Sequence, residues 1–136
     1  ATIGLTCNYS SLLTDCVDVG ILISVGAEVL SDSTRLKAGT AQKMVLNMFS
    51  TATMVLMGKV YQNKMVDLQV NNKKLLKRAL EMVSDLGEVS SETAYKLLTE
   101  SGNHVKTAVV MAKLGINTKE AKQRLRTVDG KLNEII

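Results

Sequence analysis

The chain has 136 residues, 46% of them hydrophobic, and a net charge of +4. That is enough apolar content for one ordinary packed domain or two small ones. The positive charge is mild and spread along predicted helices, without stacking aromatics, which argues against a nucleic-acid binder; the longest apolar stretch, 44–57, carries Asn47, Ser50, Thr51 and Thr53 and is too short and polar to span a bilayer.

With one Phe, three Tyr and no Trp, a core must be built from Leu, Val, Ile, Met and Ala, which favours helix packing. The absence of Pro favours long, unbroken helices. Cys7 and Cys16 form no CxxC pair and read as reduced thiols in the cytoplasm, with a single disulfide left open. Residues 1–6 lack the basic start of a signal peptide, so the expected location is cytoplasmic.

Thr2-Ile3-Gly4-Leu5-Thr6 is a short apolar run, read as a buried strand ending in a Cys7-Asn8 loop. Ser10 or Ser11 starts a short helix through about Cys16, and a second apolar run follows at 20–25. Two such runs joined by a short helix predict a parallel β-α-β unit. Two strands leave two open edges and two apolar faces, so this unit requires further structure to cover it.

A long helix is predicted over 34–57, with apolar or small residues at 41, 44, 45, 48, 52, 55 and 56. Leu46, Phe49, Met54 and Met57 widen that stripe to a second face. Such a helix packs against two neighbours, its own sheet and a partner subunit, and Gly58 is its expected C-terminal cap.

The start of this helix is the most informative stretch. Ser33-Thr34-Arg35-Leu36-Lys37-Ala38-Gly39-Thr40 puts two cations and three hydroxyls into the first turns. Cations at a helix N-terminus cost a few tenths of a kcal/mol, up to about 1. An anion seated there would offset that cost, since free N–H groups, hydroxyls and both cations would converge on it. The alternative is that Arg35 and Lys37 swing out to solvent.

Glu28 follows the second strand at its carboxyl end, where open α/β sheets bind ligands. It reads as a polar contact to a bound ligand or a proton-transfer helper, or else as an ion pair with Arg35 or Lys37. Ser31, Ser33, Thr34 and Thr40 can donate to the oxygens of an anion, while Ser33 can also cap the helix. Gly39 within a helix costs about 1 kcal/mol against Ala, consistent with close approach of a ligand or another backbone. Expected ligand contacts are therefore Glu28, Ser31, Ser33, Thr34, Arg35, Lys37 and Thr40.

From Asn71 the pattern is helical. Leu75, Leu76, Ala79, Met82, Val83 and Leu86 form one face, closed by Gly87. Ser90 or Ser91 caps the next helix, Asn103 a third ending near Gly115, and Asn117 with Glu120 makes a capping box for a fourth. Asp129 starts a last turn. A weak repeat relates Ala94 and Leu98 to Ala121 and Leu125, suggesting two helical hairpins. His104, the only histidine, has no metal-ligating neighbours in sequence, and Lys73-Lys74 with Lys77-Arg78 reads as a solvated face. No zinc spacing, P-loop, dinucleotide fingerprint or nucleophile elbow is present, so no metal or cofactor is expected.

The run from Gly26-Ala27-Glu28 through Ser33-Thr34-Arg35-Leu36-Lys37-Ala38-Gly39-Thr40-Ala41-Gln42-Lys43 resembles the signature of the N-acetylmuramic acid 6-phosphate etherases. These are sugar-isomerase-domain (SIS) proteins related to the glucokinase regulatory protein. The likeness continues through Leu46-Asn47-Met48, Gly58-Lys59-Val60-Tyr61 and Met65-Val66-Asp67. Ala27, Ser31-Asp32 and Leu36 depart from the usual Pro, Thr-Gly and Met, and Asp32 puts a negative charge beside the anion position.

The resemblance implies an α/β remnant, the last two parallel strands of an SIS-type αβα sandwich, followed by a mostly helical region. Residues 1–66 would be the SIS-like part, and 67–136 a ubiquitin-associated-like helical bundle. It implies the C-terminal half of a carbon–oxygen lyase of cell-wall amino sugar recycling. The reaction would cleave the lactyl ether to N-acetylglucosamine 6-phosphate and D-lactate, by elimination then hydration, without a cofactor. The acid–base glutamates and the phosphate loop would lie in an N-terminal half, so this part alone would be inactive. The partners implied are a sugar phosphate and either a second copy, as a homodimer, or the N-terminal half. Two other readings remain: a non-catalytic sugar-phosphate-binding regulatory module, and a helical protein-interaction module.

Overall fold

A computed structural model describes all residues, Ala1–Ile136. They fall into two compact units, Ala1–Ala52 and Thr53–Ile136.

The first unit opens with strand β1, Ile3–Thr6, and strand β2, Val19–Leu22. They pair in parallel, Ile3 opposite Val19 and Thr6 opposite Leu22. The crossover holds a single helical turn, α1, Leu12–Asp15, whose start is capped by Ser11 accepting from the Leu13 N–H at 3.3 Å. So short a crossover works because the strands carry glycine where α1 lies against them. A Cβ at Gly4 would stand 3.0 Å from Leu13 Cγ, and one at Gly20 would stand 3.0 Å from Thr14 Cβ. The expected β-α-β unit is thus present, and the overall class is the expected one, a parallel pair followed by mostly helix.

Helix α2 runs Lys37–Leu56 and buries none of its 20 residues. It starts three residues later than its periodicity suggests, because Thr34–Leu36 form a turn. Asp32 there takes a left-handed φ of 61°, and the Thr34 N–H returns to the Asp32 carbonyl at 3.1 Å.

The second unit holds a two-residue hairpin and a four-helix core. Strands β3, Val60–Tyr61, and β4, Lys64–Met65, pair antiparallel, an element the sequence reading does not contain. Then come α3 (Lys73–Gly87), α4 (Ser91–Glu100), α5 (Val105–Leu114), α6 (Thr118–Thr127) and a 3₁₀ turn, Leu132–Glu134. Ala79, Val83, Leu98, Val109, Val110 and Leu132 lie in one buried cluster with Val66. The hairpin belongs with these helices: Val66 is in their core, and the Tyr61 hydroxyl donates to the Ile136 carbonyl at 3.3 Å. The hairpin is thus part of the second compact unit, Thr53–Ile136.

Local signals explain most boundaries. Gly58, at φ 65°, closes α2, with its N–H on the Val55 carbonyl and the Lys59 N–H on that of Met54. Asn72, Ser90 and Asn117 cap α3, α4 and α6 through their side chains. Two expectations are corrected. Asn103 does not cap α5; it sits at φ 64°, and His104 takes the cap position without a side-chain hydrogen bond. Gly87 does not close α3 by a left-handed turn, since Glu88 does so at φ 55°. Gly87 instead admits α5: a Cβ there would fall 2.7 Å from Ala112 Cβ.

Candidate functional site

The first unit brings the end of β1 beside the start of α2. A groove of about 560 Å³ lies there, lined by Thr6, Cys7 and Asn8 on one side and Thr34, Ala38, Gly39 and Gln42 on the other. All of these are uncharged. The Asn8 N–H donates to Thr6 Oγ1 at 3.0 Å, which folds the post-strand loop over the groove floor. A Cβ at Gly39 would meet only the Thr34 carbonyl oxygen, at 3.4 Å, so no second backbone forces glycine there.

The helix terminus itself is filled from within. Glu28 accepts the N–H groups of Lys37 and Ala38, one with each carboxylate oxygen, both at 3.0 Å. The anion that two N-terminal cations call for is here the chain's own carboxylate. The Ala38 N–H, then the Lys37 N–H, and lastly the Lys37 charge hold the Glu28 carboxyl below its ordinary value. Lys37 reaches back as well, its Nζ donating to the Ala27 carbonyl at 2.7 Å. The segment 27–38 is thereby closed into a loop by three hydrogen bonds.

The expected ligand residues do not share one surface. Thr34 lines the groove, whereas Lys37 and Thr40 line a shallow patch with Val25, Leu36 and Met44. The Thr40 hydroxyl donates to the Leu36 carbonyl at 2.6 Å, one turn back. Ser31 Oγ donates to Asp32 Oδ2 at 3.4 Å, and the Ser33 N–H turns to the Leu30 carbonyl. Arg35 is exposed in the turn. Glu28 caps α2 in place of Ser33.

Comparison with known proteins bears on what this arrangement serves. Over 135 residues, 99% of the chain, it is 46% identical to the N-acetylmuramic acid 6-phosphate etherase of Bacillus subtilis (strain 168), covering 44% of that protein. It is 47% identical over 129 residues to the etherase of that name from Cutibacterium acnes, covering 95% of this chain and 42% of that one. An Enterococcus faecalis etherase is 44% identical over 135 residues, 99% of this chain and 45% of that one. The chain is homologous to this etherase family along nearly its whole length. It spans less than half the length of these curated relatives. Residues 62–104 also match the family model of the C-terminal lid domain of glucokinase regulatory protein.

Beside these etherase homologues, the sequence reading missed Thr6, Asn8 and Gln42 as groove residues. A signal existed for the first two. They follow a parallel strand at its carboxyl end, where open sheets bind ligands. Gln42 carries no such mark; it lies eight residues beyond Thr34, and only the fold shows both on one groove. The structure groups no three His, Cys, Asp or Glu side chains as metal ligands, and no helix is long and apolar enough to cross a membrane.

Proposed function

We propose that this chain forms part of an etherase that cleaves the lactyl ether of N-acetylmuramic acid 6-phosphate in the cytoplasm, in cell-wall amino sugar recycling. The products would be N-acetylglucosamine 6-phosphate and D-lactate, formed by elimination and then hydration. The single observation that carries this reading is the 46% identity over 135 residues to a relative of that name.

The geometry supports a binding role for this part, and the proton transfers are proposed to belong to the remaining length of an etherase. The groove walls are neutral side chains and backbone, suited to sugar hydroxyls. Glu28, whose carboxylate accepts the N–H of the groove residue Ala38, is engaged by two N–H groups that favour its ionised form, so it fits positioning of α2 better than proton donation. Thr34 and Arg35, with Ser31, Ser33, Lys37 and Thr40 nearby, are proposed to hold the sugar phosphate once the remaining length of an etherase is in place. The same reasoning gives a chain that releases no lactate alone. Association, as a homodimer or with the rest of an etherase, is supported by the open strand pair and the unburied α2.

A second reading, a regulatory module that binds a sugar phosphate without turning it over, is supported by the match of residues 62–104 to a regulatory protein's lid domain. Replacement separates the two. The matching stretch of the Bacillus subtilis etherase is exchanged for these 136 residues, and lactate release from N-acetylmuramic acid 6-phosphate is followed. Turnover above a blank supports the etherase, and Arg35→Ala should then weaken substrate binding by about 1–3 kcal/mol. A folded chimaera that binds without turnover favours the regulator, and one that binds nothing overturns both.

A further inference from the structure

The second unit has a cleft of its own, distinct from the groove beside Thr34. It holds about 620 Å³ between α5, α6 and the Asp129–Gly130 turn, a volume typical of small-ligand sites. Lys122 and Arg126 line it from α6, four residues apart and therefore on the same face. Like charges at that spacing repel, both side chains are exposed, and neither makes an ion pair, although Asp129 follows Arg126 by three positions. The helix carries Lys119, Lys122, Arg124 and Arg126 against Glu120 alone.

His104 stands on the α5 wall of the same cleft, and its side chain makes no capping bond. Lys106 is already engaged. Its Nζ donates to the Gly130 carbonyl at 3.1 Å and pairs with Asp67 at 3.5 Å. Asp67 is in turn shared with Lys59 at 3.7 Å, so its charge is spent within the fold. Asp129 is the remaining carboxylate on the cleft wall. Leu125, 9% exposed, gives it an apolar floor.

We propose that this cleft binds a phosphate dianion, free or as a small phosphomonoester, through Lys122 and Arg126 with His104 opposite. A phosphomonoester carries about −1.5 to −2 charge at neutral pH, which suits two cations that form no ion pair, against the partial opposition of Asp129. The Arg126 fork and the Lys122 ammonium both suit phosphate oxygens. The inference rests on the lining of this cleft and not on the etherase reading, whose proposed sugar-phosphate contacts lie at residues 31–40.

Equilibrium dialysis of the full chain against radiolabelled inorganic phosphate, at constant ionic strength in chloride, tests it. Lys122→Ala/Arg126→Ala should lose one bound equivalent or bind it at least tenfold more weakly. Asp129→Asn should bind it severalfold more tightly, and Asn tolerates the left-handed φ of 51° found there. Lys119→Ala/Arg124→Ala makes the same change in net charge off the cleft and should leave the isotherm unmoved. An equal loss in that control pair would reduce the effect to general electrostatics and overturn the site. So would an unchanged isotherm in the cleft pair, or loss only on Arg35→Ala/Lys37→Ala. Displacement by hexaglutamate at concentrations below those of phosphate itself would assign the cleft to an acidic protein partner instead. Competition by glucose 6-phosphate distinguishes a phosphomonoester ligand from free phosphate.

Discussion

The carboxylate of Glu28 accepts the backbone N–H of Ala38 at 3.0 Å, across ten residues of sequence. Its other oxygen takes the neighbouring N–H of Lys37, so one side chain satisfies two of the four free donors at the start of α2. Both bonds favour the ionised form, and the carboxyl is held below its ordinary value. The folded state therefore binds this proton less readily than the unfolded chain. Its stabilising contribution is complete above the ordinary glutamate value, near ~4.3, and is lost as pH falls through the lowered one. Glu28→Gln should lower the thermal midpoint at pH 7, and the gap from the unsubstituted chain should shrink at pH 3. A gap that stays constant with pH would show that the charge is not what holds the terminus.

Gly58 is constrained twice. Its φ of 65° costs a residue with a Cβ about 1–2 kcal/mol. The Cβ itself would stand 2.8 Å from Lys131 Cγ and 3.2 Å from Lys131 Cα, and the backbone atom cannot step aside cheaply. Gly115 has a similar φ, 64°, with nothing within 4 Å. Gly58→Ala should therefore destabilise by about 2–4 kcal/mol, and Gly115→Ala by about 1, in urea unfolding followed by helix signal. Equal effects would mean that the Lys131 contact carries no cost.

How much of this was legible in the sequence depended on the range of the interaction. Ser11, Ser90 and Asn117 cap within three residues, and the 3.6-residue stripe of α3 faces a core, so these elements were readable. The start of α2 was not, because its cap arrives from Glu28, nine and ten residues upstream, where local reading offered Ser33. Gly87 looked like a helix stop for the same reason: the Ala112 contact that requires it is 25 positions away. The ligand residues were chosen as neighbours in sequence, yet a helix turns successive residues to different sides. Thr34 thus meets Gln42, while Lys37 and Thr40 look onto another surface.

Lys106 holds three segments of the second unit together. Its side chain is 15% exposed, and Nζ lies 3.1 Å from the Gly130 carbonyl, 3.4 Å from that of Gly58 and 3.5 Å from Asp67. Lys106→Met keeps the length and loses all three polar contacts, at an expected cost of about 1–3 kcal/mol. Lys59 pairs with the same Asp67 at 3.7 Å, but both partners are about a third exposed. Lys59→Met should then cost roughly 0–1 kcal/mol. Chemical denaturation of the two variants side by side checks the order, and a Lys59 variant as damaging as the Lys106 one would contradict it.

Helix α2 sets the expected behaviour of the chain in solution. Met44, Leu46, Met48 and Phe49 are 40–61% exposed, and no residue of the helix is buried. The β1–β2 pair adds two uncovered edges. Apolar patches and open edges of this kind drive association. The chain should therefore sediment as self-associated species, or bind the remaining part of an etherase when that part is supplied. Met44→Lys with Met48→Lys charges one face of α2, at positions one turn apart where no core contact is lost, and should shift the distribution toward smaller species. A compact monomer with cooperative unfolding in the unsubstituted chain would show that α2 and the strand edges need no cover.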